Sequence, residues 1–206
     1  MVTPVVRTLL LVNGLAFIAE LGYAVFLIDW FALWPVGLVQ SPLEVAAPHF
    51  WPWQILTYAF LHGGLLHLGL NMYALWMFGS QLERLWGGSR FAFYYFACVI
   101  GAALTQLVVS EIALLQGAEA YPVLGASGGV FGLLLAFGVL FPETELFLLF
   151  PPMPIKAKWF VIGYGVVELL AGVTGTLAGI AHFAHLGGMV TGWLLLRNRG
   201  GRRRGH

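Results

Sequence analysis

Charge is what this chain has least of. Only 9% of its 206 residues are Asp, Glu, Lys or Arg, while 60% are apolar; soluble domains carry roughly 25% charged residues. An ordinary water-soluble globule is therefore excluded. Cysteine is almost missing too. The single Cys98 lies inside an apolar run, so neither a disulfide framework nor a cysteine metal site is available. There is no internal repeat and no low-complexity tract. The first apolar run lacks a small-residue cleavage site followed by a polar region, so it reads as a retained segment rather than a cleaved signal. A formal net charge of +1 gives no general affinity for nucleic acid.

What remains is a set of apolar runs approaching the ~20 residues that cross a bilayer core of about 30 Å. The expected class is all-α: a polytopic membrane protein with one domain over 1–206 and six transmembrane helices. The spans read as 8–28, 64–81, 91–115, 122–141, 157–175 and 180–196. The cations support that count. Arg7 precedes span 1, Arg84 and Arg90 lie between spans 2 and 3, and Lys156 and Lys158 lie between spans 4 and 5. Arg197, Arg199, Arg202, Arg203 and Arg204 follow span 6. All therefore fall on one side, which the positive-inside rule makes the cytoplasm, with both termini inside a cell membrane. The tail 197–206 reads as a topology anchor that touches anionic lipid. Segment 29–63 carries Trp30, Trp34, Trp51 and Trp53 and suits the outer interface. Residues 142–156, with Pro142, Pro151, Pro152 and Pro154, form a cytoplasmic turn.

Polar groups inside such spans are costly, and they tend to face the bundle interior. Here they are His67 and Asn71 in span 2, Ser127 in span 4, Glu168 in span 5, His182 and His185 at span 6, Glu20 in span 1 and His62 just before span 2. Depth sorts them. Spans 2, 4 and 6 run from outside to inside. His67 and Asn71 precede Glu83 by 16 and 12 residues, Ser127 precedes Glu143 by 16, and His185 precedes Arg197 by 12. At about 1.5 Å per residue all four lie ~18–24 Å above the inner boundary, on one level. Gly128 with Gly132, and Gly188 with Gly192, are small-xxx-small pairs that let spans 4 and 6 approach closely. That packing would bring the Ser127 hydroxyl to the His185 imidazole, the relation a nucleophile and its base require.

Asn71, His67 and the Ser127 amide could then donate hydrogen bonds to a developing oxyanion. Phe131, one turn after Ser127, could pack on the imidazole. No carboxylate is placed to orient His185, since Glu168 is taken to lie near mid-membrane on a helix running the other way. A Ser–His dyad is the economical reading. Glu168, Glu20, His62 and His182 are left without a catalytic part. The bland alternative for Ser127 is helix-packing glue, and for a lone intramembrane histidine a satisfied packing group.

The motifs together carry a resemblance. His62-Gly-Gly-Leu-Leu-His67-Leu-Gly-Leu-Asn71, Gly125-Ala-Ser127-Gly128, and Ala184-His185-Leu-Gly-Gly188 with Gly192 resemble the three separated motifs of rhomboid intramembrane serine proteases of the six-span bacterial type. Glu83-Arg84 followed by Gly87 and Arg90 resembles the family's turn after the second helix. The resemblance implies a rhomboid-like bundle with a membrane-embedded first loop over 29–63 and a cap near 172–181. It implies Ser127 as nucleophile, His185 as base, and Asn71, His67 and the Ser127 amide as oxyanion hole, with Phe131, Gly125, Gly128 and Gly188 in support. The implied activity is cleavage of transmembrane protein substrates near the outer membrane boundary, after small residues, with no metal or nucleotide cofactor. Two departures stand out. Trp53-Gln54 replaces a common Trp-Arg and bears on the anchoring of the loop. Phe131 replaces a common tyrosine, keeping the packing surface and losing a hydroxyl.

Three other classes stay open on the sequence. One is a non-catalytic rhomboid-like binder of membrane proteins. Another is a metal-dependent membrane hydrolase using His62, His67, His182 and His185. The last is a six-helix channel or carrier.

Overall fold

The computed structural model describes residues 1–37, 49–147, 153–175 and 181–202, with 198–202 as backbone only. The centre of the long first loop, the turn at 148–152, residues 176–180 of the expected cap near 172–181 and the end of the basic tail lie outside the described residues.

Pro4 opens α1 (Pro4–Phe31), at a position where its missing N–H costs no helical hydrogen bond. After the first loop come α2 (Gln54–Thr57) and a 3₁₀ turn over Tyr58–Phe60. A continuous rod follows, made of α3 (Leu65–Ala74), one π turn (Leu75–Gly79) and α4 (Ser80–Trp86). Gly87, at a positive φ of 79° that glycine adopts freely, ends the rod and leads directly into α5 (Gly88–Leu115). Then come α6 (Ser127–Leu140), α7 (Ala157–Thr174) and α8 (His182–Arg202). Between α6 and α7 a two-stranded hairpin pairs β1 (Glu145–Phe147) with β2 (Pro154–Lys156), Leu146 opposite Ile155.

The six long rods correspond to the six expected spans and form a helical membrane bundle. α1, α5 and α7 are each long and apolar enough to cross a membrane, and α6 is apolar but shorter. Lipid-facing side chains such as Leu15, Ile18, Leu21 and Val25 on α1 stay exposed on the molecule's surface. α8 packs most extensively against α5 and α6, and α7 closes against α8. The core gathers around Phe78, Leu82, Phe91, Tyr95 and Phe137, with Phe78 and Phe137 rings 5.1 Å apart.

One span differs from its expected extent. Segment 122–141 reads as a single helix, yet α6 starts only at Ser127. Residues 122–126 run non-helically because their backbone groups are used elsewhere. Leu33 and Val123 exchange hydrogen bonds of 2.8 and 2.9 Å, and the Gly125 N–H donates to the Tyr58 carbonyl at 2.9 Å. Gly125 has φ 131°, which a residue with a Cβ rarely adopts. Non-helical backbone at membrane depth is tolerated where protein satisfies it, and here the first loop does so.

That loop is anchored through Gln54, the uncharged residue that put its anchoring in question. Gln54 is fully buried. Its Oε1 accepts from the Trp34 N–H at 3.2 Å, and its Nε2 donates to the Trp30 and His49 carbonyls at 3.3 and 3.4 Å. A neutral amide thus bridges both ends of the loop. In the turn between α6 and α7 Glu143, exposed, is paired with Lys156 and Lys158. Hydrogen bonds from Lys156 and Lys158 hold its carboxyl down to about 2, so the pairing persists until pH falls that far.

Glu83 ties the rod to α1. Its buried carboxylate accepts from the Val5 and Val6 amides, both at 2.9 Å, and from the Thr3 hydroxyl. It therefore caps the first turn of a helix 77 residues away in sequence. Glu83→Gln keeps the shape and removes the charge from these bonds. It is expected to lower stability by about 1–3 kcal/mol, read as a lower midpoint of thermal unfolding in detergent micelles; an unchanged midpoint would refute this role.

Candidate active site

Ser127 is the first residue of α6, and Val130 is the first amide of that helix to bond back, onto Ala126 at 3.1 Å. The N–H groups of Ser127, Gly128 and Gly129 therefore have no intrahelical partner, and the positive end of the helix dipole lies at the serine. The Ser127 side chain is half-buried. Its Oγ lies 2.8 Å from His185 Nε2, on the first turns of α8. Two side chains 58 residues apart are thus in hydrogen-bond contact. The His185 ring stacks on Phe131, with centroids 4.2 Å apart and planes 6° from parallel. That contact fixes the plane of the imidazole.

The expectation of an unassisted dyad is corrected by Glu168. Its Oε2 lies 2.9 Å from His185 Nδ1 and 2.7 Å from His182 Nδ1. Glu168 and both histidines are buried. An ionised carboxylate only accepts, so both rings donate Nδ1–H to it. A neutral His185 then carries its lone pair on Nε2, facing the Ser127 hydroxyl, which is the tautomer a general base needs. A level near mid-membrane does not separate Glu168 from His185. Glu168 lies ten residues above Lys158, about 15 Å, and His185 twelve above Arg197, about 18 Å. The same depth count, applied to α7, puts the carboxylate within one helical turn of the imidazole.

On the other side of Ser127 stands His67 on α3. The Gly63 N–H donates to His67 Nδ1 at 3.4 Å, which leaves the other ring nitrogen, Nε2, as the N–H donor. Gly125 separates this nitrogen from the serine. A Cβ on Gly125 would lie 2.9 Å from His67 Nε2 and 3.6 Å from Ser127 Oγ. The two polar atoms thus flank one small space that a side chain at 125 would occupy. Asn71 is buried one turn further along α3 and donates one amide hydrogen to the His67 carbonyl at 3.0 Å, leaving the second for another acceptor. His62 packs edge-on to His67 at 5.2 Å, and its amide is held by Glu20 of α1 at 3.0 and 3.2 Å. Glu20 thus holds the start of α3 in place.

The glycine seams bring in a third helix. A Cβ on Gly188 would strike the Gly128 carbonyl, so α6 and α8 touch backbone to backbone there. Side chains on Gly128 and Gly132 would instead strike Ala102 and Cys98 of α5, and one on Gly192 would strike Tyr94. Tyr58, which the sequence did not single out, holds the Gly125 amide through its carbonyl and bonds the Val99 carbonyl through its hydroxyl at 2.9 Å. The four-histidine metal set does not form. Among the described residues, the group whose donor atoms all lie within 4.8 Å of one another is Glu168, His182 and His185; His62 and His67 are not part of it.

Comparison with known proteins gives a match to the family model described as Rhomboid domain over residues 49–199. The chain is 38% identical over 147 residues to "Rhomboid protein 1, mitochondrial" of Saccharomyces cerevisiae, covering 68% of this chain and 40% of that one. It is 30% identical over 145 residues to "Rhomboid protease GluP" of Bacillus subtilis, covering 68% of this chain and 25% of the relative. It is 32% identical over 142 residues to the human "Presenilin-associated rhomboid-like protein, mitochondrial", covering 67% and 35%. The chain spans a quarter to two fifths of the length of these curated relatives.

Two substitutions probe the geometry. Gly125→Ala combines a disfavoured φ with a methyl driven into His67, and is expected to lower both thermal stability and the reactivity of Ser127 toward a fluorophosphonate; wild-type reactivity would count against the site. Glu168→Gln keeps volume and an acceptor but loses the charge. It should slow acylation of Ser127 by at least about tenfold, and by less than the ~10⁴-fold seen when a soluble triad's carboxylate becomes an amide. The loss should fall on kcat rather than KM and be partly restored in Glu168→Asp; a rate equal to wild type would show that Glu168 does not position His185.

Proposed function

The chain belongs to the rhomboid family, and on that footing we propose that it is a serine endopeptidase that cuts transmembrane segments of other proteins near the outer boundary of the membrane. The observation that carries this is the 2.8 Å contact between His185 Nε2 and Ser127 Oγ. A serine and a histidine so paired, with the imidazole stacked on Phe131 and backed by Glu168, supply a nucleophile, a base and an orienting carboxylate. That one relative is a rhomboid protease supports the same reading.

The chemistry follows from the groups present. Ser127 Oγ attacks the carbonyl carbon of the scissile peptide as its proton passes to His185 Nε2. The carbonyl oxygen becomes an oxyanion, toward which the Ser127 amide, the His67 Nε2–H and the spare Asn71 N–H can donate. The tetrahedral intermediate collapses, and the proton on His185 passes to the leaving amine. An acyl-enzyme on Ser127 remains. His185 then takes a proton from water, the hydroxide attacks the ester, and Ser127 is released with its hydrogen restored. Glu168 stays ionised throughout and stabilises the imidazolium formed at each step. No metal, nucleotide or nucleic acid takes part in this cycle.

The one-sided cations support an orientation with both termini in the cytoplasm of a cell in whose membrane the protein is a multi-pass component. The site then opens toward the outer half of the bilayer, where single-span substrates present the bond to be cut.

Ser127→Ala should abolish both fluorophosphonate labelling and cleavage of a panel of single-span substrates by the purified protein, a loss of at least about 10³-fold. The same mutant retaining cleavage would overturn the mechanism. Wild-type protein that neither labels nor cleaves would point instead to a rhomboid-like binder.

A further inference from the structure

One buried group at the site is not used by this chemistry. Glu168 needs a single imidazole to orient, yet it carries two. His182 sits three residues before His185 on α8, donates to the same Oε2 at 2.7 Å, and is buried with its Nε2 lacking any partner among the described residues. A second imidazole is a costly addition inside a membrane bundle when one suffices.

We propose that Glu168, His182 and His185 form a binding site for a divalent first-row transition ion of zinc type, and that the bound ion silences Ser127. Two imidazole nitrogens and one carboxylate oxygen are a donor set that zinc takes readily. They come from two packed helices and lie within 4.8 Å of one another. The Oε2 stands 2.7 and 2.9 Å from the two Nδ1 atoms. A tetrahedral ion with bonds of about 2.0–2.2 Å keeps its donors roughly 3.3–3.5 Å apart. The carboxylate oxygen and each Nδ1 therefore need to part by roughly 0.4–0.8 Å to admit it between them.

The consequence comes from the tautomer and rests on the protease reading; the site itself does not. A metal on His185 Nδ1 displaces the proton there. A neutral ring then carries its one proton on Nε2, where it donates to Ser127 Oγ instead of accepting from it. The base is lost while the ion stays bound and returns when it leaves. The ion is not a catalyst here, because the imidazole ring stands between it and the serine oxygen.

The test uses the full chain, purified without a histidine tag and carrying Ser127→Ala, dialysed against zinc(II) and analysed for metal content. One zinc per chain is expected, and cobalt(II) in its place should give the visible d–d bands of a tetrahedral site. His182→Asn and Glu168→Gln should each weaken binding by at least about tenfold. With Ser127 intact, zinc should suppress fluorophosphonate labelling, a chelator should restore it, and His182→Asn should need at least about tenfold more zinc for half suppression, each variant being compared with its own zinc-free rate. Sub-stoichiometric zinc in the Ser127→Ala chain, no tetrahedral cobalt spectrum, or binding unchanged by both substitutions would overturn the site. Stoichiometric binding that leaves labelling unaffected would overturn the silencing. Stoichiometric binding in a chain that never labels would uphold the site and count against the protease reading instead.

Discussion

Gly188 of α8 rests against the carbonyl of Gly128 in α6, and nearly everything at the site depends on that contact. In hydrocarbon there is no hydrophobic gain from bringing two apolar helices together; close packing and polar contacts must hold them. Backbone-to-backbone approach lets the imidazole of His185, one turn before Gly188, reach a hydroxyl as short as that of serine. Any side chain at 188 would push the helices apart and break the 2.8 Å contact. α5 supports the pair from the other side. Its Ala102, Cys98 and Tyr94 fill the space that Gly128, Gly132 and Gly192 leave, and the Tyr94 hydroxyl bonds the Gly132 carbonyl at 3.0 Å.

The same economy governs the buried charges. Each carboxylate inside the bundle is matched to donors across a helix boundary. Glu20 of α1 takes the His62 amide at the start of α3, Glu83 of α4 takes the first turn of α1, and Glu168 of α7 takes two imidazoles of α8. None could be left bare in an apolar medium without a penalty of several kcal/mol. Each therefore fixes the relative position of two helices that dispersion alone would hold loosely. Glu168 differs from the others because its partners are themselves proton carriers, one of which faces the nucleophile.

Much of this was legible from the residues. The helical class, the six rods and the one-sided cations follow from composition and spacing, and the shared depth of His67, Asn71, Ser127 and His185 follows from counting. The Ser127–His185 contact and the Phe131 stack lie where glycine spacing and helical period put them. What could not be read depended on backbone pairing or on comparing helices of opposite direction. Nothing local to 122–126 announces that Leu33 will pair with Val123, so an apolar run looked helical throughout. Glu168 was within reach of the depth rule, since a count from Lys158 puts it within about one turn of the level of His185. Tyr58 acts through a main-chain carbonyl, to which sequence patterns are blind. Gln54 looked like a lost anchor because an amide was weighed by charge and not by its three hydrogen bonds.

The shortened fourth span is itself a condition of the proposed chemistry. Fourteen residues of α6 measure about 21 Å, less than the ~30 Å of a bilayer core. The helix must therefore begin inside the membrane, and its free amides must begin there too. In a fully helical 122–141 those amides would belong to residues near 122, a turn and more away from Ser127, and the Ser127 N–H would be spent on a carbonyl four residues back. The dipole and the amide would then be absent from the carbon that the proposed mechanism puts under attack. Stopping the helix at Ser127 requires the preceding residues to find partners in the first loop, which Leu33 and Tyr58 provide, and a residue at 125 that accepts an unusual φ while leaving room for His67. The loop and the glycine are thus requirements of placing a helix N-terminus below the outer boundary of the membrane, beside the hydroxyl of Ser127.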